Sequence, residues 1–223
     1  IGGGPSAGPL DTDRIDGLRI GVNDAALAKP CDIFFSNDHN YVLGIKASIC
    51  AFPGGNVHLS VFQRYHHLFA GWPVTLWRRV HLSNPTLQPN QLASGGHGTP
   101  GCSGYVALNL AYQIGARRIV LFGYDFHDDY RYFFSRDPFP RQHIAEVRAS
   151  FRAVAPFYRA AGIEVLNASP GSAIDAFPII THEEALCLPS MPLFSTTRAP
   201  ETTITAGAKR LRKVSGGAAG ASR

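Results

Sequence analysis

The sequence predicts an α/β protein of the Rossmann-like type, a mostly parallel sheet with helices on both faces. Three observations carry this. Val106, Leu110 and Ile114 recur every four residues beside Ala107 and Ala111, one apolar helical face. Directly after it Ile119 to Phe122 is an unbroken apolar run, as for a strand covered on both sides. Further strand-like and helix-like stretches then alternate along the chain, which favours parallel pairing through crossover helices.

The helix over Ser103 to Ile114 closes at Gly115, with Arg117 and Arg118 at the negative end of its dipole. Its start, Pro100-Gly101-Cys102-Ser103-Gly104, can offer backbone N–H groups and a hydroxyl to an anion. The strand after it ends in Gly123-Tyr124-Asp125-Phe126, so a carboxylate falls just past its carboxyl end, the edge where open α/β sheets bind ligands.

Ile1 reads as the last residue of a strand whose earlier residues are not in this sequence. It runs into Gly2-Gly3-Gly4-Pro5-Ser6-Ala7-Gly8, where the missing Cβ atoms would let backbone approach a phosphate or ribose. No Gly-Lys-Ser/Thr follows, and the G-x-G-x-x-G fingerprint is incomplete. Leu18 to Val22 and residues 31–36 read as strands ending in Asn23-Asp24 and Asn37-Asp38-His39-Asn40, either a polar binding rim or ordinary turn chemistry.

Val57 to Phe62 and Val74 to Val80 read as strands, and Asn84 to Thr99 as a loop rich in Pro, Gly, Ser and Asn. His66 and His67 are adjacent, which does not suit a metal pair. Residues 127–134 mix aromatics with charge and lack periodicity, as a lid over the sheet edge would. Ile144, Val147, Phe151, Val154 and Tyr158 mark a long helix from His143 to Ala161, bent or loosened at Pro156 and ended by Gly162, with a last strand over Ile163 to Leu166.

Composition bounds the partners. With 45% hydrophobic and 17% charged residues the chain is globular rather than disordered. Residues 198–223 hold six of the 21 basic residues and one of the 16 acids, Glu201, which leaves 15 of each in residues 1–197. The body is therefore neutral, which argues against a nucleic-acid track. The domain reading is one Rossmann-like unit over 1–193 and a disordered basic tail over 194–223, able to touch anionic surfaces weakly. Cys31, Cys50, Cys102 and Cys187 lack C-x-x-C spacing and read as reduced, half-buried thiols of a cytoplasmic protein. No stretch reaches membrane-span length and no signal peptide is visible.

Gly2-Gly3-Gly4-Pro5-Ser6, the strand ending in Asn23, Ser103-Gly104, Gly123-Tyr124-Asp125-Phe126, the tyrosine-bearing lid and His143 follow in that order. Over about residues 1–182 this resembles the superfamily joining bacterial family-42 sialyltransferases to archaeal-type 6-hydroxymethylpterin diphosphokinases. The resemblance implies a transferase with a nucleotide-activated sugar donor and a hydroxyl acceptor. Gly3, Gly4, Pro5, Ser6 and Asn23 would hold the nucleotide and phosphate, Ser103 and Gly104 the donor sugar, with Asp125 beside them. His143 matches the general base, and Tyr132 one of two lid tyrosines that donate to the leaving phosphate. His127 stands at the approximate place of the other, with Tyr130 nearby. The family usually has Asn where this chain has Gly3.

This sialyltransferase-like reading needs no cofactor and no metal. The alternative is diphosphate transfer from ATP to a hydroxymethylpterin, with Mg²⁺ held by carboxylates such as Asp38, Asp125, Asp128 and Asp129. A third reading is a non-catalytic nucleotide- or nucleic-acid-binding protein that uses the basic tail.

Overall fold

The computed structural model describes residues 1–95, 102–129, 131–134 and 141–193. Five strands form one parallel sheet in chain order: β1 (Ile20–Val22), β2 (Ile33–Ser36), β3 (Val57–Val61), β4 (Thr75–Val80) and β5 (Gln91–Ala93). The connections are α1 (Asp24–Ala28), α2 (His39–Gly44), α3 (Lys46–Cys50) and 3-10 turns. The chain then returns through α4 (Ser103–Gln113), which packs on β1, β2 and β5. Beyond β1 it builds a second, two-stranded parallel sheet from β6 (Arg118–Leu121) and β7 (Glu164–Asn167), joined by α5 (Arg141–Ala160). A short α6 (His182–Leu186) follows. The fold is Rossmann-like α/β.

Alternation along the strands puts helices on both faces. In β2, Ile33 and Phe35 join Trp77, Leu92 and the apolar sides of α4 and α5 in one core. Phe34, between them in sequence, turns to the other face and packs with Val57, Leu59 and Val61 against Val42, Ile49 and Phe52. Helix α4 is buried from Ser103 to Ala111 with no polar side left over, so it is an interior element rather than an amphipathic one. Helix α5 is amphipathic: Ile144, Val147, Phe151, Val154 and Tyr158 are all buried, and the helix continues through Pro156.

Three expectations change. The strands make two sheets, not one, and Ile1 to Gly4 are the backbone link between them. Val22 N donates to Ile1 O (3.0 Å), while Gly2 N donates to Phe122 O (2.7 Å) and Gly4 N to Gly123 O (2.9 Å). The segment read as a loop over Asn84 to Thr99 contains β5. It is held by the buried Asn109 of α4, whose Oδ1 accepts from Ala93 N (2.6 Å) and Thr86 N (3.4 Å) and whose Nδ2 donates to Thr86 O (3.0 Å). Of the four cysteines, Cys31 and Cys102 are half-buried as expected, but Cys50 and Cys187 are exposed; none is bridged. Among the described residues no helix is long and apolar enough to cross a membrane. The tail read over 194–223 lies outside the described residues.

Candidate functional site

Strand order runs outward from β1 to β5 and then restarts on the far side of β1 with β6. The carboxyl ends of β1 and β6 therefore flank the place where the order reverses, the position at which open α/β sheets bind ligands. Two non-glycine residues there take positive φ: Asn23, directly after β1 (φ 53°, ψ −132°), and Phe126, after β6 (φ 49°). Such backbone costs on the order of 1–3 kcal/mol and persists where its surroundings over-determine it.

Asn23, Asn37 and Ser103 converge at this point. The Ser103 hydroxyl, in the first turn of α4, donates to Asn37 Oδ1 and accepts from Asn37 N (3.4 Å) and Asn23 Nδ2 (3.4 Å). Asn23 Oδ1 is buried with no hydrogen-bond partner among the described residues, an acceptor left over in this polar cluster. Arg79, from the carboxyl end of β4, joins the cluster through Asn37, donating from Nη1 to Asn37 O (3.5 Å). Arg79 makes no ion pair among the described residues, and its Nε is buried and unbonded. Burial pulls its pKa down, opposed by the charge of Asp38. A half-buried cation short of acceptors, next to a helix start, is suited to an anionic group.

The glycine bend has a different job from the one its composition suggests. A Cβ on Gly4 would lie 1.9 Å from Asp125 Oδ2, and one on Gly3 2.6 Å from the Tyr132 ring. The chain's own carboxylate and ring occupy the space the absent side chains leave. Asp125 Oδ2 accepts from the Ser6 hydroxyl at 2.9 Å, and its two oxygens lie 3.3–3.4 Å from Ser6 N. Burial raises the Asp125 pKa; its bonds from Ser6 partly oppose that. Pro5 to Ala7 form a 3-10 turn with Pro5 exposed. Gly104 likewise faces the Tyr124 ring, and the Tyr124 hydroxyl donates to Gly104 O (3.2 Å).

The lid residues close over the bend. Phe133 N donates to Gly3 O (2.9 Å), and the Tyr132 ring stacks on Phe134 at 5.1 Å. Burial pushes the Tyr132 hydroxyl up to about 12, with smaller contributions from Cys102 and Asp24. Tyr132 thus reaches from the lid toward the start of α4 and the end of β1. His127 is half-buried next to the Asp125 carboxylate. Tyr130 lies outside the described residues, as do Pro100 and Gly101 at the entry to α4.

His143 sits in the first turn of α5, its side chain 42% exposed, with Nδ1 3.3 Å from Glu146 Oε2. That is its one polar contact among the described residues. Helix α5 is tied to the end of β6 further along, where Arg148 Nε donates to Phe126 O (2.7 Å) and Nη2 to Asp128 (2.9 Å). The structure thus gathers Gly3, Gly4, Ser6, Asp125 and Tyr132 at one contact, and Asn23 with Ser103 at a second. Among the described residues His143 shares no contact with either.

Asn37 and Arg79 are the members that sequence reasoning missed. Asn37 was visible as part of a strand-end run; the signal for Arg79 would have been a cation two residues beyond the buried Trp77, on the same sheet face. No group of three or more His, Cys, Asp or Glu side chains that could hold a metal ion occurs among the described residues.

No family model matches this chain, and neither does any curated protein or solved structure.

Proposed function

We propose that the chain is a transferase using a nucleotide-activated donor, most specifically an inverting, sialyltransferase-like glycosyltransferase. The observation that carries this is the hydrogen-bonded cluster of Asn23, Asn37 and Ser103 with the Arg79 guanidinium, at the edge where the strand order reverses. In this reading Arg79 and the α4 start hold the nucleotide phosphate, and the unbonded Asn23 Oδ1 accepts from the nucleotide or sugar. Gly3, Gly4, Pro5, Ser6 and Asp125 shape the wall, with Gly104 behind it.

The acceptor hydroxyl oxygen attacks the anomeric carbon from the face opposite the phosphate. The bond from that carbon to the phosphate oxygen breaks, and its electron pair leaves with the phosphate. Tyr132 donates to that oxygen, with Tyr130 or His127 as the second donor. The acceptor's proton goes to His143. Glu146 at Nδ1 fixes the ring so that Nε2 is the basic nitrogen. The four unbridged thiols support a reducing compartment, the cytoplasm.

The test is thermal shift against CMP, UDP, GDP, ATP and a pterin, with and without Mg²⁺, followed by turnover of His143→Ala with the donor so identified. The expected result is a Mg²⁺-independent shift by one nucleotide, with turnover lowered about 10²–10⁴-fold and donor binding retained. Stabilisation by ATP and a pterin that disappears with a chelator would identify the diphosphokinase alternative instead. Salt-sensitive polynucleotide binding that needs residues 198–223, with no nucleotide shift, would identify the non-catalytic one.

A further inference from the structure

Between β1 and β6 lies a cleft of about 180 Å³. A single water needs about 10–15 Å³ by the same measure, so this is no packing fault. Its walls are the edges of two parallel strands. Ala107, Ala111 and Ile114 of α4 close one side, and Ala185 and Leu188 close the other.

Hydrogen-bond parity shows which backbone groups face it. Arg19 O accepts from Asp32 N and Ile33 N of the β2 side, and Ile20 O accepts from Ile1 N (2.6 Å). Alternate groups of β1 and the residues before it, Leu18 O and Ile20 N, therefore point into the cleft. Across it, Arg117 O and Leu121 O are taken by the β7 side (Glu164 N and Ala168 N). Arg118 O, Val120 N and Val120 O consequently face the same space. Phe122 O, next in that row, is already taken by Gly2 N. Ile1 and Gly2 thus occupy the carboxyl-terminal end of a slot that continues for about four more residues, the length of β6.

We propose that the cleft seats one further parallel strand, an extended apolar stretch of this polypeptide joined to the nitrogen of Ile1, which unites the two sheets into one. Continuity fixes the occupant: the Ile1 N–H and C=O already bond β1 in the register such a strand requires, and its exit is the glycine bend. Both flanks are apolar, so residues pointing to either side would be apolar, as in strands buried on both faces. Leu18 is 51% exposed at the rim, and a seated strand covers it. Burial lowers the terminal ammonium of Ile1 to about 6; a peptide N–H there keeps the bond to Ile20 O without the buried charge.

The experiment compares the chain bearing Ile-Val-Val-Ile-Val before Ile1 with one bearing Gly-Ser-Asp-Gly-Ser. The apolar extension is expected to raise Tm by about 5 °C or more and to slow amide exchange of Ile20 and Val120 about ten-fold, in a monomer. The polar extension should do neither. Equal behaviour of the two overturns the proposal. So does aggregation confined to the apolar form, because a seated strand hides its side chains. Dimerisation of that form overturns it as well, since the cleft would then be taking a second copy.

Discussion

The Ser6 hydroxyl stands 2.9 Å from the Asp125 carboxylate, and this bond fastens the glycine bend to the end of β6. Gly4 makes it possible by leaving the carboxylate room. Gly4→Ala therefore places a methyl inside the van der Waals envelope of Asp125 and is expected to cost roughly 3 kcal/mol in urea unfolding. Ser6→Ala removes a hydrogen bond to a buried acid and should cost about 1–2 kcal/mol near pH 7. Because the Ser6 bonds oppose the upward push of burial, that variant raises the Asp125 pKa further, readable by NMR titration. An unchanged Asp125 titration in Ser6→Ala would mean the bond is not made in solution.

Asn109 should matter more than its place on a helix suggests. Asn109→Leu leaves Ala93 N and Thr86 N without their acceptor, while Thr86 O keeps the bond from Gln113 Nε2. A loss of about 3 kcal/mol is expected, with early amide exchange in residues 86–93. Full stability in this variant would show that β5 holds itself.

Arg79 separates stability from binding. Its charge is disfavoured by burial and met by one long hydrogen bond and the Phe62 ring 4.9 Å away, so Arg79→Leu should change unfolding free energy by no more than about 1 kcal/mol. If Arg79 binds the phosphate, affinity for the nucleotide that shifts wild-type Tm falls about ten- to hundred-fold by calorimetry. Equal affinities would remove Arg79 from the site.

His58 gives the fold an acid-sensitive point. It accepts from Trp77 Nε1 at Nδ1 (2.9 Å) and faces Asn56 Oδ1 with Nε2 (2.9 Å), a neutral tautomer held on both sides. Burial lowers its pKa from 6.5 to about 4. Between those values the unfolded chain binds the proton and the folded one does not. The contribution is thus complete above about pH 6.5 and lost as pH falls through 4, a drop of about 3 kcal/mol at most. Unfolding curves at pH 7 and pH 4.5 should show it in the wild type and not in His58→Leu.

How legible each part was follows from where its information sits. The α5 periodicity from Ile144 to Tyr158 is local, and so are the apolar runs of β2, β3 and β6. Strand β5 is three residues set among Pro, Asn and Ser, and only its pairing with β4 and the reach of Asn109 make it a strand. Asn23 and Ser103 stood out because each marks an element boundary. Arg79 did not, since a cation in a strand reads as solvent-facing until pairing shows it on the Trp77 face. The glycines were read as room for a ligand, whereas the rings and carboxylate that fill that room come from more than a hundred residues away.

Helix α4 is buried from Ser103 to Ala111, and its first turn holds both asparagines. A molecule gripping Ser103 meets a floor that cannot shift without disturbing the cores beneath it. Accommodation is left to the short cover after β6, whose Tyr132 packs against the core that includes α4. Selectivity among chemically similar guests should accordingly be transplantable by exchanging this short cover, while the anchoring polar groups stay as they are.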